Sequence, residues 1–158
     1  MSCPEEILGE VLRRKGLTLS AAESCTGGRV ADKITNVPGA SDYFLGGAVT
    51  YSNDAKAALL GVKKESLISF GAVSEQVAKE MAIGCRKAFR SDIAVSTTGI
   101  AGPAGGTKEK PVGLVWFAVS DGKTTRAERK VFEGDRTQIK EKASLRAIDL
   151  VLNFIEGV

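Results

Sequence analysis

A chain of 158 residues with 43% hydrophobic and 26% charged side chains has the make-up of one globular domain with a single core. Its net charge of +3 is small and its basic residues are scattered, Arg13-Arg14-Lys15 being the longest run, so nucleic-acid binding is not indicated. No apolar stretch is long enough for a membrane span and the N-terminus lacks a signal-peptide pattern, so no membrane association and a cytoplasmic location are expected.

Histidine does not occur. That removes Ser-His-Asp and Cys-His catalysis and histidine-based metal sites from within the chain. A nucleophilic hydrolase built from these residues must take its base from Lys, Tyr or a carboxylate. Three cysteines (Cys3, Cys25, Cys85) have no paired spacing, which argues against a disulfide framework and a zinc site.

Taken in order, Pro4 to Lys15 reads as a helix with Ile7, Leu8, Val11 and Leu12 on one stripe and Gly16 as its stop. Leu17 to Glu23 reads as a strand and Thr26 to Asn36 as a helix, broken by Val37-Pro38-Gly39. Tyr43 to Ser52 is a second strand, with Gly46-Gly47 as a bulge or close-approach point. Asn53 caps a short helix through Leu60 that Gly61 ends, and Lys63 to Val73 reads as irregular with one short helical turn at most. Ser74 caps a helix to about Arg90 whose inner face carries Val77, Met81, Cys85 and Phe89. Asp92 to Thr98 is a third strand, and Gly99 to Pro111 is loop by composition. Val112 to Ser120 and Thr124 to Phe132 form a hairpin across Asp121-Gly122, and a last helix follows Gly134-Asp135. Helices alternating with strands, then a hairpin, predict a single α/β domain spanning 1–158: three α/β/α layers around a mixed β-sheet.

Three clusters carry candidate chemistry. In Ala22-Glu23-Ser24-Cys25-Thr26-Gly27-Gly28 a strand passes into a helix, Ser24 and Cys25 are potential nucleophiles, and Gly27 and Gly28 permit close approach of a ligand to the backbone. The first helical amides are expected to be unpaired there and suited to a phosphate or an oxyanion. The plainer alternative makes Thr26 an N-cap and the glycines turn residues. In Tyr51-Ser52-Asn53-Asp54-Ala55-Lys56, Lys56 falls in the first turn of a helix, where dipole and burial both favour a neutral amine able to deprotonate a serine, and Tyr51 can relay a proton or orient it. The alternative is a packed tyrosine and a solvated lysine. Thr98, Gly99, Gly102, Gly105 and Gly106 belong to a glycine-rich segment that can present amides to an anion but fits neither the P-loop nor the dinucleotide fingerprint; a plain surface loop is the other reading. Arg136, near the start of the last helix, is a candidate for phosphate or carboxylate recognition, against a solvated helix face.

Together these segments, with Lys110-Pro111-Val112-Gly113 and Gly134-Asp135-Arg136, resemble the C-terminal domain of the CinA family, including its stand-alone PncC-type members, over nearly the whole chain. The resemblance implies a nicotinamide-nucleotide amidase that converts nicotinamide mononucleotide to nicotinic acid mononucleotide and ammonia in pyridine nucleotide salvage. It further implies Ser24 as nucleophile, Lys56 as base and Tyr51 as its partner, with no metal or cofactor. Thr98 and the glycine loop would lie against the reacting amide or the substrate phosphate. The family often self-associates, so a homo-oligomer is an open expectation, and a non-catalytic nucleotide-binding or regulatory module of the competence/damage-inducible type is the alternative function. Larger family members also carry an N-terminal pyrophosphatase-like domain, which these 158 residues do not contain. Lys140 stands where a second arginine of the last helix is expected.

Overall fold

Apolar residues recurring every three to four positions give six helices, and runs rich in Ala, Val and Ile give five strands, in the computed structural model, which describes residues 2–157. Helix α1 (Pro4–Lys15) buries Leu8, Val11 and Leu12 and ends at Gly16, whose φ of 65° closes the last turn. Strand β1 (Leu19–Glu23) is buried at every position, as befits the middle of a sheet covered on both faces. Helix α2 (Arg29–Thr35) begins three residues later than the sequence predicts, because Gly27 and Gly28 have φ of 60° and 106° and so sit outside the helical region.

A short 3₁₀ turn (Ala40–Asp42) leads into strand β2 (Phe44–Val49). Leu19 pairs with Phe44 and Ser20 with Gly46, so the extra residue of the bulge is Leu45, directly before the expected glycine pair. Helix α3 (Asn53–Leu60) has Ser52 as its N-cap, whose hydroxyl accepts from the Ala55 amide at 3.1 Å. The segment expected to be irregular holds helix α4 (Lys64–Phe70), and its only buried residue is Ser66, so no apolar stripe announces it. Helix α5 (Glu75–Phe89) is capped by Ser74 and buries Val77, Ala78, Met81, Ala82 and Cys85, while Phe89 is half-buried. Strands β3 (Ile93–Gly99), β4 (Leu114–Ser120) and β5 (Thr125–Val131) follow, then helix α6 (Arg136–Glu156).

The sheet order is β2-β1-β3-β4-β5, with β2, β1 and β3 parallel and β4 and β5 antiparallel to their neighbours. Helices α1, α2 and α6 cover one face and α5 the other, with α3 and α4 packed on α5, which gives the expected three layers. The two larger apolar clusters hold Leu8, Leu12, Ile34, Phe117 and Ile148 on one side and Val62, Val77, Met81 and Cys85 on the other, with a small third of Ala78, Ala82 and Ala118. Each fully buried aliphatic or aromatic side chain stabilises the fold by about 1.5–3 kcal/mol, so both helical layers are held firmly to the sheet.

This topology decides where chemistry can occur. Parallel β1, β2 and β3 end on the same edge of the sheet, at Glu23, Val49 and Gly99. Pairing of Gly99 with Val115 and of Leu114 with Val131 returns the loop 100–113 and the start of α6 to that edge. Loops at the carboxyl ends of parallel strands converge on one crevice.

Candidate active site

Glu23, the last residue of β1, is 1% exposed, and its side chain holds the turn that follows and the start of α2. Its Oε1 accepts from the amides of Gly28 (3.1 Å) and Val30 (2.9 Å) and from Thr26 Oγ1 (2.6 Å), and its Oε2 accepts from the Ala31 amide (3.0 Å). A carboxylate thus occupies the positive end of α2, which stabilises the helix by satisfying donors it would otherwise leave open. These amides were expected to be unpaired and open to a ligand, and the protein's own side chain fills that place. Ser24 and Gly27 also place their amides, on Thr97 O and Ser24 O at 3.0 Å each. Among the described residues, the amides left in the turn without an oxygen acceptor are those of Cys25 and Thr26.

Ser24, 8% exposed, faces a cleft of about 230 Å³ lined also by Cys25, Tyr51, Lys56, Thr98 and Arg136. Lys56 is 1% exposed. Its Nζ donates to Ser24 Oγ at 2.9 Å and to the Thr50 carbonyl at 2.8 Å. The fold dictates both contacts: Thr50 follows β2, with its amide on Glu23 O at 2.8 Å, and Ser52 then starts the helix that swings Lys56 back over the turn. Burial pushes the Lys56 ammonium below its ordinary value of 10.5, with the neighbouring Cys25 acting weakly in the opposite sense. Cys25 is the reverse case. Burial raises its thiol to about 12, so it stays protonated at neutral pH and is a poor nucleophile.

Tyr51 is 62% exposed and takes no hydrogen bond from Lys56; its hydroxyl accepts from Arg136 Nη2 at 2.9 Å. Arg136 Nη1 donates to the Gly102 carbonyl at 2.6 Å, so one guanidinium joins the end of β2, the glycine-rich loop and α6. The acidic residue that the dipole of α6 calls for is Asp135, whose carboxylate accepts from the Gln138 amide at 2.9 Å, while Arg136 lines the cleft. Thr98 lines the cleft with its hydroxyl donated to Ala72 O at 2.9 Å, and Gly99 lies beside it.

The other candidates lie away from the opening. Thr26 points inward, with its hydroxyl on Glu23 and Thr97. A side chain at Gly27 would meet Lys140 Nζ at 3.3 Å, and one at Gly102 or Gly106 would meet Val112. Gly28 packs near Val49, and Gly105 stands on the exposed outer part of the loop. Sequence reasoning gave no role to Glu23, Thr50 or Thr97. The signal for Glu23 was present, a carboxylate set between a strand and a helix start. For Thr50 none existed, since its contribution is a backbone carbonyl. Ala72 and Val73, which also line the cleft, come from the turn after α4 that carried no periodic signal.

Among the described residues no group of three or more Cys, Asp or Glu side chains is placed to hold a metal ion, and no helix is long and apolar enough to cross a membrane. The family model of the CinA C-terminal domain matches residues 2–155. A putative competence-damage inducible protein of Caldicellulosiruptor saccharolyticus is 54% identical over 151 residues, covering 96% of this chain and 37% of that protein. A CinA-like protein of Chloroherpeton thalassium is 52% identical over 157 residues, covering 97% and 37%. The chain therefore spans little more than a third of the length of these relatives. Among solved structures, a CinA superfamily protein from Klebsiella pneumoniae 700603 superposes with a TM-score of 0.93 at 31% identity, covering 99% of this chain and 100% of that one. A competence/damage inducible protein from Agrobacterium tumefaciens does so at 0.88 and 39%, covering 96% of each. Sequence and fold agree over the whole domain: the chain belongs to the CinA C-terminal domain family.

Proposed function

We propose that the protein is a Ser-Lys amidohydrolase that deamidates nicotinamide mononucleotide to nicotinic acid mononucleotide and ammonia. The observation that carries the reading is the 2.9 Å contact between Lys56 Nζ and Ser24 Oγ inside a cleft where burial depresses the lysine. As a neutral amine, Lys56 keeps one N–H on the Thr50 carbonyl and turns its lone pair to the Ser24 hydroxyl. Ser24 Oγ attacks the carboxamide carbon and its proton passes to Lys56. The oxyanion of the tetrahedral adduct takes a hydrogen bond from the Cys25 amide, the turn amide on the cleft wall that has no oxygen acceptor. Lys56 then protonates the departing nitrogen, ammonia leaves, and a water activated by the same amine hydrolyses the acyl-serine to the carboxylate product.

The cleft, about 230 Å³, lies below the roughly 300–1,000 Å³ of sites that enclose a whole ligand. It suits the nicotinamide ring end, with the ribose phosphate passing out by Arg136. A planar guanidinium is well matched to a phosphate.

Incubation with nicotinamide mononucleotide in the presence of a chelator is expected to release ammonia and nicotinic acid mononucleotide in equal amounts. Ser24→Ala should lower kcat by about 10³-fold or more with an unchanged melting temperature. Cys25→Ala, which keeps the amide, should retain most of the turnover. Saturable nucleotide binding without product would favour a binding module instead, and undiminished activity in Ser24→Ala would end the serine mechanism.

A further inference from the structure

Beneath the nucleophile's turn lies a chain of buried polar groups that does not line the cleft. Glu23, Thr26 and Thr97 are each at most 1% exposed. The Glu23 carboxylate can only accept, so the single hydroxyl proton of Thr26 goes to it at 2.6 Å. The proton in the 2.7 Å contact between Thr26 Oγ1 and Thr97 Oγ1 must then come from Thr97. Thr97 also accepts the Ser24 amide on its carbonyl at 3.0 Å. One residue of β3 thus grips the turn twice, once on the Ser24 backbone and once on the Thr26 side chain. Between those two grips lies the amide of Cys25, which lines the cleft.

We propose that Thr97, with Glu23 as its anchor, is a positioning residue of the amidase reaction: it fixes the Ser24–Thr26 turn so that the open Cys25 amide meets the oxyanion. The proposal rests on the amidase reading given above. Loss of the Thr97 hydroxyl leaves a lone pair of Thr26 buried without a donor and frees one side of the turn, while the Ser24 amide keeps its acceptor. Displacement of oxyanion donors by a fraction of an ångström weakens the transition state and leaves ground-state binding untouched.

The test uses Thr97→Val, close in shape to threonine, Thr97→Ser, which keeps the donor, and Glu23→Gln. Kinetics with nicotinamide mononucleotide are normalised to binding-competent sites counted by calorimetry. Thr97→Val is expected to lower kcat per site by about 10- to 100-fold, with KM changed by less than about twofold. The acid limb of its pH profile should stay in place, because Thr97 does not touch Lys56. Thr97→Ser should restore most of the rate, and Glu23→Gln should fall in the same sense as Thr97→Val. A merely structural role would lower the number of competent sites and the melting temperature while leaving kcat per site at the wild-type value, and that result overturns the proposal. Should the valine variant fail to fold, Glu23→Gln carries the test, and a wild-type kcat per site there has the same force. Wild-type protein that releases no ammonia refutes the amidase reading and this inference with it, whereas active wild type with an unaltered Thr97→Val refutes the positioning alone.

Discussion

Lys56→Met is expected to abolish turnover, by about 10³-fold or more in kcat, and at the same time to change how stability responds to pH. The first effect follows from removing the amine placed on Ser24 Oγ. The second follows from linkage. Because burial lowers the Lys56 value in the folded state below 10.5, the unfolded chain holds more protons than the folded one between those two values. Wild-type stability contributed by this group therefore rises with pH through that window; the burial cost is fully present below the folded-state value and gone above 10.5. Methionine occupies a similar volume and carries no proton. Its melting temperature relative to wild type should be highest at low pH and should decline steadily as pH approaches 10.5. The same depressed value predicts that wild-type kcat/KM rises with pH along a limb that lies below 10.5, as the amine becomes free to accept the serine proton. Thermal scans and rate profiles over one pH series check both statements. A pH-independent difference in melting temperature, together with a flat rate profile, would mean that Lys56 neither titrates with folding nor acts as the base.

Gly84→Ala should be the most damaging change far from the cleft. Gly84 lies on α5 where α3 crosses it, and a methyl group there would stand 1.7 Å from the carbonyl oxygen of Leu60 and 2.7 Å from its carbonyl carbon. Both are backbone atoms, so no side chain can swing aside, and one helix must move bodily. Overpacking of this kind costs about 3 kcal/mol or more, which for a chain of this size corresponds to a fall of roughly 6–12 °C in melting temperature. Activity should fall beyond the loss of folded protein. Leu60 ends the helix whose opening turn carries Lys56, and a shift of α3 by a few tenths of an ångström carries Nζ away from Ser24. Differential scanning calorimetry and kcat per folded molecule test the two halves separately. A melting temperature within about 2 °C of wild type would show that the helices have more room than the crossing indicates.

Much of this was legible in the sequence because local and long-range signals agree. The 3.6-residue stripes of α1, α5 and α6, the Ser74 cap and the Gly61 stop mark helix ends closely, while the cap of α3 is Ser52, one residue before the Asn53 that the sequence suggests. The hairpin at Asp121-Gly122 reads directly, with Asp121 Oδ1 accepting the amides of Lys123 and Thr124. Ser24 and Lys56 were brought together by motif and by histidine's absence, and they meet in the fold. What stayed hidden has physical causes. Helix α4 carries its tie on polar atoms, Ser66 and the Lys63 amide donating to Glu80, and so lacks an apolar stripe. The filled end of α2 depends on a side chain folding forward over five to eight residues, a choice that propensities do not encode. The link from Tyr51 to Arg136 spans 85 positions and exists only after the sheet has closed.

That link has a consequence for selectivity. Both partners of the Arg136 guanidinium, the Tyr51 hydroxyl and the Gly102 carbonyl, are neutral acceptors, and a phosphate dianion outcompetes such groups by offering charge and two oxygens at once. On the amidase reading, a nucleotide can break the clasp at the mouth by trading its contacts for stronger ones, whereas nicotinamide or its riboside brings nothing to exchange. The cleft would then interrogate the tail of a molecule before its amide reaches Ser24, and discrimination between phosphorylated and bare substrates would be settled at Arg136, ahead of any bond being broken.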